Sequence, residues 1–129
     1  MATLFGRMAL EKKNRPDVHP NVDDAFAALA KAGATVPKPA QSMARTYAAS
    51  YCLHGVDVSG DLSILLCEYP DEAAAVLGLA ESKKIMANVE TRTSYVHKSL
   101  LMVTMLLNAE HLKPASVIQN KALAAFNAL

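Results

Sequence analysis

The sequence has no tryptophan and only two cysteines, and aromatic residues make up 5% of its 129 positions. Three Phe and four Tyr that are not interleaved with Arg or Lys do not build a stacking platform for single-stranded nucleic acid. Charge of one sign is lacking as well, since 13 basic and 12 acidic residues leave a net charge of +1. Nucleic-acid binders carry a basic stripe or a strongly basic balance, so no nucleic-acid partner is expected. The one basic cluster, Lys12, Lys13 and Arg15, reads as a solvated arm. No run approaches the ~20 apolar residues that span a bilayer. Leu100 to Leu107 is interrupted by Thr104 and is too short, so no transmembrane segment is expected. The start, MATLFGRMAL, has Arg7 in its middle and no small-residue cleavage site after it, so no intact export signal is visible.

Catalytic motifs are missing too. There is no G-x-G-x-x-G, no phosphate loop and no G-x-S-x-G. The histidines, at 19, 54, 97 and 111, form no H-x-x-x-H or H-E-x-x-H pair. Asp57, Asp61, Glu68, Asp71 and Glu72 lack the alternating spacing of a calcium loop and read as turn and capping residues. Glu68 is the exception, a carboxylate on a strand, with Arg45 or Arg92 as the expected partner. No cofactor, metal ligand set or catalytic residue is assigned. His97 is the best single acid–base candidate, without a visible orienting carboxylate. The methionines, including Met86, Met102 and Met105, read as flexible core filling.

What is present is a globular composition, 52% hydrophobic and 19% charged, at a length that fits one domain. Residues 1–20 read as an N-terminal arm with a short helix over Thr3 to Lys13, and residues 21–129 as the domain. Asn21 caps a helix over 21–32, Asp23 and Asp24 sit in its first turn, and Gly33 stops it. Two prolines keep 34–39 out of a central strand. Residues 42–54 read as one continuous strand, 55–61 as a turn and 62–69 as a central partner strand. Pro70, Asp71 and Glu72 open a helix to around Met86, with Ala73, Val76, Leu77, Ala80 and Lys84 on one face. Gly78 inside that helix marks a close approach to the sheet. Strands follow over 91–98 and 100–107 with Lys98-Ser99 as a tight connection, then a last helix from near Lys113-Pro114. The expected class is α+β in the order α-β-β-α-β-β-α, with about four antiparallel strands packed with helices, ferredoxin-like or related.

Counting outward from the 55–61 turn sets a register. A two-residue loop at Ser59-Gly60 or a four-residue loop over 58–61 both place Leu53 opposite Leu66 and Cys52 opposite Cys67. Cross-strand Cβ atoms lie about 4.5–5.5 Å apart, and a disulfide needs roughly 3.5–4.5 Å. A small adjustment therefore joins them, and the bond points to an oxidising compartment. Two buried reduced thiols in a cytosolic core are the alternative.

Around Arg45-Thr46-Tyr47-Ala48-Ala49-Ser50-Tyr51-Cys52 and Cys67-Glu68-Tyr69-Pro70-Asp71-Glu72-Ala73-Ala74-Ala75, the chain resembles small, uncharacterised bacterial envelope or lipoprotein-type α/β domains. The resemblance spans residues 41–107 and carries no functional residues with it. It implies export to the periplasm or cell envelope and supports the disulfide. The first functional expectation is a non-enzymatic exported domain that binds a partner protein or self-assembles, with the apolar arm at residues 1–10 as the docking feature. The second is a ligand-binding or enzymatic domain of the dimeric α+β-barrel or ferredoxin-like kind, using a pocket formed by Tyr47, Tyr51, Arg92 or His97. The third is a cytosolic, roadblock-like dimeric scaffold with reduced cysteines.

Overall fold

The computed structural model describes residues 3–85 and 91–129. Among them run α1 (Leu4–Lys13), α2 (Val22–Lys31), β1 (Ala40–Ser42), β2 (Tyr51–Val56), β3 (Leu62–Glu68), α3 (Glu72–Ile85), β4 (Arg92–His97), β5 (Leu100–Leu106) and α4 (Leu112–Asn127). The strands form one antiparallel sheet in the order β1-β2-β3-β5-β4. The α+β class holds, but the order and strand count differ somewhat from the α-β-β-α-β-β-α expectation: the edge strand β1 and a 3-10 turn stand between α2 and β2, and the sheet has five strands in place of about four. The expected end of the third helix near Met86 lies outside the described residues.

Local chemistry explains the boundaries. The Asn21 side chain accepts from the Asp24 N–H at 2.9 Å, and the Asp24 carboxylate accepts from the Asn21 N–H at 3.0 Å. This reciprocal box satisfies two donors that a helix start leaves open. Gly33 stops α2 with φ at +103°, and the Ala34 N–H reaches back to the Leu29 carbonyl. A left-handed residue there suits glycine, which has no Cβ to clash. At the β2–β3 turn the Asp57 carboxylate accepts from the Leu62 N–H and the Ser59 hydroxyl, and Gly60 takes φ +80°. The Asp57 N–H bonds the Leu62 carbonyl, so the loop is the four-residue one over 58–61.

The expected continuous strand over 42–54 is broken. Residues Ala44–Tyr47 form a short 3-10 helix, Ala48 turns left-handed at φ +52°, and pairing with β3 begins only at Ser50, whose N–H bonds the Glu68 carbonyl. The cause is tertiary. The Glu11 carboxylate of α1 accepts from the N–H groups of Ala44 and Arg45 and caps the 3-10 turn. Upstream, Ala40–Ser42 pairs with β2 as the edge strand β1.

Alternation then sorts the side chains. One face carries Tyr51, Leu53, Leu62, Ile64, Leu66, Leu100 and Met102, covered by α2 and α4 through residues such as Phe26, Leu29 and Phe126. The other carries Cys52, Leu65, Cys67, Leu101 and Val103, covered by α3 and the 3-10 helix.

On the third helix the face with the larger apolar residues is not the buried one. The face of Ala73, Val76, Leu77 and Ala80 points to solvent, and the small residues Ala75, Gly78 and Ser82 are buried instead. Tyr69 is the reason. Its fully buried ring lies against α3, and a Cβ at position 78 would meet the Tyr69 Oη at 2.1 Å. Only a glycine face lets the helix sit this close.

Candidate functional site

The sheet register places two rows of side chains side by side on the α3 face. One row runs His54, Leu65, Val103 across β2, β3 and β5. The next runs Ser63, Met105, Arg92 across β3, β5 and β4. These six residues line a hollow of about 190 Å³, closed at one side by Ser42 and Tyr47. Leu65 and Val103 also belong to the core beneath α3, so the hollow opens at the rim of that core.

Its floor is apolar and its ends are polar. At one end the Ser42 Oγ and His54 Nδ1 share a hydrogen bond between β1 and β2. At the other, the Arg92 Nε–H donates to the Met105 Sδ at 3.2 Å. The two terminal nitrogens of Arg92 have no hydrogen bond or ion pair among the described residues. Among the described residues the lining contains no Asp or Glu to neutralise that guanidinium. A guanidinium with open N–H groups is suited to a carboxylate or phosphate, which it meets with two parallel bonds.

A second polar cluster is buried and fully used. Glu68 is entirely shielded from solvent. Its carboxylate accepts from Arg15 Nε at 2.9 Å and Nη2 at 2.6 Å, and from the Val22 N–H at 2.9 Å. Arg15 also bonds Asp23 at 2.7 Å and lies 4.4 Å from the centre of the Tyr51 ring. The Glu68 carboxylate thus takes up a helix-start donor of α2 and ties the segment before α2 to the sheet. The bond to Glu68 holds the Arg15 guanidinium above its ordinary range. Burial likewise pushes up the phenols of Tyr51 and Tyr69. The expected partner of Glu68, Arg45 or Arg92, is therefore replaced by Arg15, which lies 53 residues away in sequence. Arg45 sits in the exposed 3-10 turn, and Arg92 points from the opposite sheet face.

Cys52 and Cys67 are joined in a disulfide, directly opposite each other in the β2–β3 ladder and fully buried. Both sulfurs are thereby withdrawn from metal or redox-pair chemistry with His54. Of the four residues expected to share a pocket, Tyr47 and Arg92 line the hollow. Tyr51 and His97 lie on the other face. Tyr51 is under Arg15, and the His97 Nε2 is 2.8 Å from the Leu129 carbonyl with its ring edge-on to Phe126.

Ser42, His54 and Ser63 escaped sequence reasoning as members of this site. The one available signal was the strand parity that places His54 on the Cys52 face; the pairing of Ser42 needed the unexpected edge strand. No helix among the described residues is long and apolar enough to cross a membrane. No protein-family model, no curated protein and no solved structure matches this chain.

Proposed function

We propose that this chain is a non-enzymatic, disulfide-stapled domain of an oxidising compartment, the periplasm or cell envelope, that self-assembles through the outer face of α3. The observation that carries the reading is the stripe of Ala73, Val76, Leu77 and Ala80, at i, i+3, i+4, i+7 spacing, with Val76 52% and Leu77 69% exposed. Such a stripe is what a helix presents to a partner helix or groove. Its ends carry opposite charge, Glu72 in the first turn and Lys83 and Lys84 in the last. Two copies of α3 packed antiparallel about a two-fold axis would set Glu72 of each beside the lysines of the other, a self-complementary arrangement. The buried Cys52–Cys67 bond and the resemblance to bacterial envelope domains support the compartment. The same bond weighs against the cytosolic roadblock-like reading.

Alpha1 is a secondary docking candidate, since it buries no residue and shows Leu4 and Phe5 to solvent. A 14-residue helix is about 21 Å long, and its face falls well short of the ~800 Å² per partner of a standard interface. The association is therefore weak and concentration-dependent. Sedimentation velocity over the micromolar to millimolar range tests it. Leu77→Lys should abolish the dimer. Glu72→Lys and Lys83→Glu should each weaken it, and mixing those two variants should restore association. A wild-type chain that stays monomeric throughout, or variants that dimerise as well as wild type, would overturn the reading. The ligand-binding alternative, in a ferredoxin-like or related α+β frame, is favoured by one observation, the hollow that contains Tyr47 and Arg92.

A further inference from the structure

The hollow on the α3 face has a chemistry that the self-assembly reading does not use. We infer that it is a binding site for a small carboxylate with a short apolar stem. Three features of the hollow select that class. The first is the cation. Arg92 keeps both terminal nitrogens open among the described residues, and its Nε is held against the Met105 sulfur, which fixes where the fork points. A planar carboxylate is the group that such a fork meets with two bonds at once. Among the described residues no acidic side chain lines the hollow, so none of them opposes an anion at Arg92.

The second feature is the floor. Leu65, Val103 and Met105 separate the Arg92 end from the Ser42–His54 end, so a ligand anchored at Arg92 lays its next atoms on apolar surface. The third is size. At about 190 Å³ the hollow is below the ~300–1,000 Å³ of pockets that take drug-sized ligands, which restricts the occupant to a compact molecule. The width of the site agrees. His54 on β2 and Arg92 on β4 stand three strand spacings apart, roughly 14 Å across the sheet, and both line the hollow. Ser63 and the outer nitrogen of the His54 ring, neither of them bonded among the described residues, offer hydrogen bonds to a polar group at the far end of the stem.

The test uses the intact, oxidised chain and amide chemical shifts by NMR. Sodium butyrate, butyramide and n-butylammonium chloride share a stem and differ in charge, and each is titrated at constant ionic strength. Butyrate should shift the amides of residues 63–65 and 103–105 saturably in the millimolar range. Butyramide should bind about tenfold or more weaker, and butylammonium should leave these amides unmoved. Arg92→Gln should lose about tenfold or more in butyrate affinity, with amide shifts elsewhere unchanged as the check on folding. Ser63→Leu, which fills the hollow without touching charge, should block butyrate. Butyramide binding as tightly as butyrate, or Arg92→Gln keeping full affinity, would overturn the anionic class. Absence of any saturable shift with all three probes would overturn the site itself. Neither outcome bears on the α3 dimer, which is read by sedimentation.

Discussion

Replacing Arg15 by alanine strips a buried carboxylate of its counter-ion. In the native chain Glu68 Oε1 has Arg15 Nε as its partner, while Oε2 has Arg15 Nη2 and the Val22 N–H. After Arg15→Ala, Oε1 has no donor and Oε2 retains one. Removing one partner of a buried ion pair costs about 3–5 kcal/mol, because the remaining charge stays desolvated. Arg15 itself is about a quarter exposed, at 26%, so water can follow into the space it leaves, which favours the lower end near 3 kcal/mol. That is a large share of the ~5–15 kcal/mol that holds a domain together. It corresponds to a melting temperature lower by roughly 10 °C or more. Urea unfolding followed by circular dichroism measures it, with Arg15→Lys as the intermediate case that keeps charge and loses the fork. The double variant Arg15→Met, Glu68→Gln should recover much of the loss, since it removes both charges and keeps an oxygen to accept from the Val22 N–H. A cost for Arg15→Ala below about 1 kcal/mol, the range of exposed pairs, would refute the view that Glu68 depends on Arg15.

Other consequences are as direct. Denatured, unreduced protein should show no free thiol, and Cys52→Ala with Cys67→Ala should cost about 3 kcal/mol in urea unfolding, the chain-entropy value for a bond closing a 15-residue separation. Two free thiols in that assay would remove the disulfide and most of the case for an oxidising compartment. Gly78→Ala should destabilise by about 1–3 kcal/mol in a thermal melt even though alanine is the better helix former by about 1 kcal/mol, because the added Cβ meets the Tyr69 ring at 2.1–2.6 Å. A stabilised Gly78→Ala variant would mean that α3 does not rest on Tyr69.

Much of the architecture was legible in the chain because it rests on local chemistry. The Asn21 box and the Gly33 stop fix α2 within a few residues of each other in sequence. The β2–β3 disulfide follows from counting out of one turn, since an antiparallel ladder transmits its register without further information. Lys98-Ser99 closes β4 onto β5 for the same reason. Alternation also puts Arg92 and His97, five residues apart, on opposite faces of one strand, which is why the pocket expected to draw on both does not form.

What the chain alone left open depends on residues far apart. The strand expected over 42–54 fails because Glu11, 33 residues from Ala44, caps a 3-10 turn there, and this breaks the parity that would have put Tyr47 and Tyr51 on one face. The face of α3 that points inward was set by Tyr69, whose ring admits glycine and not the larger apolar stripe. The partner of Glu68 was set by the path of the segment before α2. The lack of tryptophan, catalytic motifs and charge bias was plain in the sequence from the start. The hollow around Arg92 was not, because its two polar ends sit on β2 and β4, and only the order β1-β2-β3-β5-β4 aligns them across one floor.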